Sequence, residues 1–129
     1  TTWLEELIGV AQAGPNELQF VREIALEALD RFDELILPYS TVVCINKDNL
    51  PSRTELMTWS AEDFVHSLTH YQRYNGHFNP DLRQLLHTSY KLAAESRDIF
   101  IPALKKHAEL IGDNITDNIL NRHIKPIFL

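Results

Sequence analysis

Apolar residues near the start of the chain recur every three or four positions, the spacing that places side chains on one face of an α-helix. Thr2 and Glu5 begin the first run with the spacing of a capping box, so we predict a helix that ends near Ala13, before Gly14. A second run, capped by Asn16, predicts a helix that extends toward Pro38. Its apolar positions are Leu18, Val21, Ala25, Ala28, Phe32 and Leu35.

The pattern changes in the middle of the chain. Residues 39–45 are rich in β-branched and aromatic types, so we expect one short extended segment there. Residues 46–58 carry polar and turn-forming types, which predicts a connecting loop. Ser60 and Asp63 then have the spacing of a variant capping pair, which indicates a helix that ends near Tyr71.

The last half begins with Asn79-Pro80-Asp81, which supplies a cap, a proline at the first helical position and an acid in the first turn. A helix to about Ser96 is therefore predicted. Beyond this helix, apolar residues keep the helical spacing, which predicts either one bent helix or two short helices that meet near Gly112. Its apolar positions are Phe100, Leu104, Ala108, Ile111, Ile115 and Ile119.

The tail and the composition complete the predicted fold. Pro126 predicts that the last residues are not helical. With 129 residues, 44% of them hydrophobic, the chain can form one globular domain that buries about two thirds of its surface. We therefore predict an all-α fold over residues 1–129, an array of five or six helices with one short extended segment.

Charge and hydropathy exclude several classes of function. The formal net charge is −6 and the cations are not clustered, which argues against a nucleic-acid partner. No apolar run approaches the ~20 residues of a membrane span, so no membrane partner is expected. Cys44 is the single cysteine, and the chain begins without the features of a signal peptide, so we expect a cytoplasmic protein.

Three polar side chains share one stripe of the predicted helix that begins at Pro80. Arg83, His87 and Tyr90 lie at helical spacing beside the face that should meet the core. A guanidinium, an imidazole and a phenol can together hold a carboxylate or a polyhydroxy ligand. The alternative is a polar seam between helices that only satisfies buried carbonyls.

Other polar residues carry weaker signals. His66 and His70 have the separation that can bring two imidazoles to one metal ion, but a solvated helix face is the better interpretation. His107 and His123 are expected to fill structural roles near helix ends. Hydroxyls near the amino terminus either bind an anion or only cap the first helix.

Several segments of the chain resemble the C-terminal part of the tagaturonate/fructuronate epimerase family, and the similarity covers essentially all 129 residues. The most specific segment is Arg-Gln-Leu-Leu-His-Thr-Ser-Tyr at residues 83–90. The others are Thr-Thr-Trp-Leu-Glu at residues 1–5, Asn-Ile-Thr-Asp-Asn at residues 114–118 and Arg-His-Ile-Lys-Pro at residues 122–126.

The resemblance implies a longer, metal-dependent, (β/α)-barrel-like isomerase that interconverts D-tagaturonate and D-fructuronate in hexuronate metabolism. This chain is then its C-terminal portion, without activity of its own and packed on the upstream barrel. The divalent metal and the acid/base residues belong to that barrel, so this chain binds no metal. The residues implied to contact the sugar acid are Thr1, Thr2, Arg83, His87 and Tyr90.

An alternative function is a free-standing helical module that binds another protein and has no catalytic activity. In both cases we expect the apolar face of the first helix to be available for contact outside this chain. The residues of that face are Trp3, Leu4, Leu7 and Ile8.

Overall fold

The structure is a computed structural model that describes residues 2–39, 45–69, 79–113 and 116–128. Every secondary-structure element among these residues is helical, which confirms the predicted all-α class. The predicted extended segment falls largely on residues 40–44, which lie outside the described residues. Tyr39, at its start, closes a 3-10 turn.

The helical elements follow one another with short connections. The α-helices are α1 (Trp3–Ala13), α2 (Pro15–Asp30), α3 (Phe32–Leu35), α4 (Arg53–Thr58), α5 (Ala61–Leu68), α6 (Pro80–Glu95), α7 (Ile101–Ile111), α8 (Thr116–Ile119) and α9 (Lys125–Phe128). Single 3-10 turns cover Leu37–Tyr39, Lys47–Asn49 and Arg97–Phe100. A π-helical turn, Leu120–Ile124, joins α8 to α9.

Three of the predicted helix starts are confirmed by their caps. The Thr2 hydroxyl accepts the Glu5 backbone N–H at 3.2 Å, at the start of α1. Ser60 and Asp63 form both bonds of a capping box at α5. The Asn79 side chain accepts the Leu82 N–H at 2.9 Å, and Pro80 occupies the first turn of α6. Local sequence therefore determines these starts.

The second predicted helix differs from expectation at both ends. Gly14, and not Asn16, is the N-cap of α2, because Pro15 takes the first helical position. The Asn16 amide donates to the Leu110 carbonyl at 3.4 Å instead. The helix breaks at Arg31, whose φ of −115° is not helical, and resumes as α3.

The predicted loop over residues 46–58 is wrong, because it contains α4. Ser52 accepts the Glu55 N–H at 3.1 Å, a cap of the usual spacing. At the other end of α4, the Arg22 guanidinium of α2 donates to the Leu56 carbonyl at 3.2 Å and also to the Trp59 carbonyl. The Leu56 carbonyl also accepts the Trp59 backbone N–H, so Arg22 adds a second bond there and binds the first carbonyl beyond the helix.

The two remaining helix ends also depart from the predictions. Helix α5 ends at Leu68, short of Tyr71, and the Thr69 hydroxyl donates to the Val65 carbonyl at 2.9 Å. The tail is helical through Pro126, against expectation. The π turn accounts for this, because the Lys125 N–H donates to the Leu120 carbonyl and the wider turn accommodates the proline ring.

The core forms around α2, which packs against α1, α4, α6 and α7. Helix α1 also contacts α5 and α9. Leu7 of α1 is 0% exposed, and Trp3, Leu4 and Ile8 are partly buried. Leu7 is thus packed within this chain, whereas Trp3, Leu4 and Ile8 keep part of their surface exposed, so the contact of this face with a partner outside the chain stays a prediction.

Membrane spans require both length and apolar character. Among the described residues, no helix combines the two to the extent that crossing a bilayer needs.

Candidate functional site

The predicted sugar-acid residues separate into two environments. Arg83 and His87 are half-buried on α6, where they meet Trp3 at the start of α1. Tyr90, on the same helix, is 0% exposed. Thr1 lies outside the described residues. The structure therefore brings Arg83 and His87 together at one surface and places Tyr90 in the core.

The surface formed by Thr2, Trp3, Arg83 and His87 is called the amino-terminal edge below. The His87 and Trp3 rings meet edge to face, with centroids 4.6 Å apart and planes at 70°. The Arg83 guanidinium carbon lies 5.9 Å from the Trp3 ring centroid, within the range of a cation–π contact. One indole ring thus orients both polar side chains.

The charged groups that shift the pKa of His87 at the amino-terminal edge are cations. Burial lowers the pKa of His87, and the nearby Lys91 and Arg83 cations lower it further. At pH 7 the imidazole is therefore neutral and can both donate and accept a hydrogen bond. The first turn of α1 adds its amide dipoles but also carries Glu5 and Glu6, so Arg83 is the group at this edge that can bind an anionic ligand with hydroxyl groups.

Tyr90 has a different environment, inside the core. Its ring lies edge to face with Phe20, with centroids 6.3 Å apart, and its hydroxyl has no hydrogen-bond partner. Burial raises the pKa of the phenol far above its usual value, so it stays protonated. In this structure Tyr90 is a core residue, and its predicted contact with a sugar acid stays a prediction.

A second group of polar residues meets inside the molecule. Glu17 in the first turn of α2, His107 in the middle of α7 and His123 in the π turn form what we call the histidine cluster. Each offers one ligand atom, and these atoms lie within 4.8 Å of one another. Three elements far apart in sequence thus converge on one point.

The imidazoles of the histidine cluster pack against the Phe20 ring and against each other. His107 is 1% exposed and stacks on Phe20, with centroids 4.4 Å apart and planes at 22°. The His107 and His123 centroids are 5.3 Å apart. Neither ring nitrogen of His107 completes a hydrogen bond, nor does Nε2 of His123. Native proteins rarely leave buried polar atoms in this state.

Burial also determines the protonation of the histidine cluster. It lowers the pKa of His107, and the His123 imidazole adds to that effect. The Glu17 carboxylate and the backbone of Asn16 oppose it; Asn16 lies near the ring without making a well-formed hydrogen bond. The pKa of His123 is lowered by burial and by the Arg122 cation. Both rings are therefore neutral at pH 7, with lone pairs able to bind a cation.

Sequence reasoning missed the histidine cluster. The helix-end role predicted for His107 is wrong, because the residue lies in the middle of α7 between buried Leu104 and Ala108. A histidine on the apolar stripe of a helix was the available signal. His66 is half-buried, with its Nε2 3.8 Å from Glu62, and the second histidine of that pair, His70, lies outside the described residues.

Comparisons with protein-family models, with curated proteins and with solved structures find no match to this chain. The geometry of the amino-terminal edge and of the histidine cluster therefore carries the functional argument, together with the resemblance in sequence.

Proposed function

We propose that this chain is the C-terminal portion of a metal-dependent sugar-acid epimerase that interconverts D-tagaturonate and D-fructuronate. Two arguments support the proposal: the resemblance of residues 83–90 to that family, and the pairing of Arg83 with His87 at the amino-terminal edge. The second is the observation that carries it, because a uronate presents one carboxylate beside several hydroxyls.

Each polar side chain of the edge has a chemical role in this proposal. The Arg83 guanidinium binds the carboxylate through a charge-assisted, two-pronged hydrogen bond. The neutral His87 imidazole bonds a neighbouring hydroxyl, and Trp3 keeps both groups oriented. These residues bind and orient the substrate, while the acid/base groups lie upstream. A divalent metal held by the upstream part of the whole enzyme would supply electrostatic stabilisation of negative charge on a substrate oxygen.

Replacing Arg83 with glutamine tests the proposal in the full-length protein. Because a hydrogen bond to a charged group contributes about 1.5–3 kcal/mol, we expect KM for either uronate to rise by about 10- to 100-fold. Interconversion is followed by NMR in the presence of Mn²⁺. Arg53→Gln is the matched control, since Arg53 forms an exposed ion pair with Asp30 and its replacement should leave KM unchanged.

Two results would contradict the proposal. One is the absence of uronate interconversion by the full-length protein with Mn²⁺. The other is an Arg83→Gln variant whose KM matches that of Arg53→Gln. Uncharged ketohexoses provide a further control. Because they lack the carboxylate that the Arg83 guanidinium binds, their KM should be the same for the wild type and for Arg83→Gln.

The helical interaction module remains the alternative class of function. Among the described residues, large apolar side chains that stay about half exposed are Leu37, Met57 and Leu110. They lie on three different elements, so they give no specific support to a docking surface.

A further inference from the structure

We propose that Glu17, His107 and His123 form a binding site for one divalent transition-metal ion of the zinc class. The site goes beyond the proposed epimerase function, because it lies apart from the amino-terminal edge and takes a cation, not a sugar acid. It also departs from the sequence-based expectation that this chain binds no metal.

The donor set fits such an ion. Two imidazole nitrogens and one carboxylate oxygen are the ligands of many zinc sites that keep a fourth position open for water. Ligand atoms around a tetrahedral zinc lie roughly 3.4 Å apart, given bonds of about 2.1 Å. Those of the histidine cluster lie within 4.8 Å, so side-chain rotations that bring the ligand atoms at most about 1.4 Å closer together complete the site.

Burial supplies an independent argument. His107 is 1% exposed, yet both of its ring nitrogens lack a hydrogen-bond partner, and Nε2 of His123 shares that state. A histidine kept only for packing would be expected to donate at least one hydrogen bond. A metal ion satisfies one nitrogen of each ring and places the negative Glu17 carboxylate beside a positive charge.

The chemistry of the ligands selects the class of ion. Imidazole suits zinc and its neighbours among the transition metals, whereas Mg²⁺ and Ca²⁺ prefer sites made of oxygen atoms. We therefore expect Zn²⁺ and Co²⁺ to bind, and Mg²⁺ not to compete.

The π turn explains how His123 reaches the site. Such turns are rare and often occur at functional positions, since the additional residue redirects the side chains that follow. Here the turn covers Leu120–Ile124, and His123 lies within 5.9 Å of the Phe20 ring, measured between centroids. An ion at the histidine cluster would connect α2, α7 and the π turn, so its binding should also stabilise the fold.

The test uses full-length protein stripped of metal with a chelator. We expect Zn²⁺ bound per chain to fall by one ion in Glu17→Gln and in His123→Ala, or the affinity of that ion to fall at least about 100-fold. His107→Ala should have the same effect, but its burial makes misfolding a risk, so the two other variants carry the test. His66→Ala is the matched control and should bind as the wild type does.

Co²⁺ provides a spectroscopic measurement of the same site. Absorption bands of a four- or five-coordinate ion should be equally strong in the wild type and in His66→Ala, and should be weaker by the contribution of one ion in Glu17→Gln and His123→Ala when circular dichroism shows them folded. The proposal is overturned if the folded variants bind Zn²⁺ as tightly as the wild type, or if the wild type binds none. Because Arg83 is intact in all of them, failure here leaves the epimerase proposal standing.

Discussion

The amino-terminal edge and the histidine cluster are built from similar parts but differ in the charge of their neighbours. Each places an imidazole against an aromatic ring, Trp3 at the edge and Phe20 at the cluster. At the edge, the charged groups near His87 are cations. At the cluster, Glu17 supplies an anion that partly offsets the Arg122 cation.

This difference shows why a histidine cannot be interpreted from its spacing alone. Burial lowers the pKa in both places and leaves the rings neutral. What the neutral ring then binds depends on the side chains that face it. Cations beside His87 favour an anionic sugar acid, whereas a carboxylate beside two imidazoles favours a metal cation.

The largest expected effect on stability comes from a substitution that disrupts the histidine cluster and leaves the amino-terminal edge intact. Phe20 is 1% exposed and touches His107, His123 and Tyr90, so Phe20→Ala should cost about 3–5 kcal/mol of unfolding free energy. Trp3→Ala, at the partly buried edge, should cost only about 1–2 kcal/mol. Urea denaturation measures both values. Equal costs would show that the two regions do not differ in burial as described.

A smaller effect appears in the pH dependence of stability, measured with a chelator present. Folding lowers the pKa of His107, so the unfolded state binds more protons once the pH falls below about 6.5. The contribution of this residue is complete above that pH and is lost as pH falls through the folded-state value. We expect His107→Leu to have a flatter profile between pH 7.5 and 5; a profile parallel to the wild type would contradict the assignment.

The smallest effects are opposite in sign and separate the two regions most clearly. Replacing Lys91 with glutamine removes a cation, so the pKa of His87 should rise. Replacing Glu17 with glutamine removes an anion, so the pKa values of His107 and His123 should fall. NMR titration of the ring protons in metal-free protein records all three. Shifts of the same sign in both variants would remove the electrostatic distinction between edge and cluster.

The parts of the fold that could be predicted depend on neighbouring residues. The caps at Thr2, Ser60 and Asn79 each need only a residue three positions away, and all three are confirmed. The same kind of signal was present for α4, where Glu55 follows Ser52 by three positions, but the surrounding polar residues suggested a loop instead.

The parts that could not be predicted depend on contacts between distant residues. Glu17 and His107 meet because α2 packs on α7, and His123 joins them from the π turn; no local pattern encodes either fact. Two of the three residues in the stripe on α6 were placed correctly: Arg83 and His87 border the core as expected. Tyr90 was not, since its depth is determined by the helices that cover it.

The contact of Arg22 with the end of α4 determines which helices unfold together. A helix of six residues has too few hydrogen bonds to persist by itself in water. The Arg22 side chain of α2 donates hydrogen bonds to the Leu56 carbonyl of α4 and to the Trp59 carbonyl that follows it, so α4 depends on α2 for its stability. We therefore expect α2 and α4 to unfold as a single cooperative unit, in which α4 does not stay folded after α2 has unfolded.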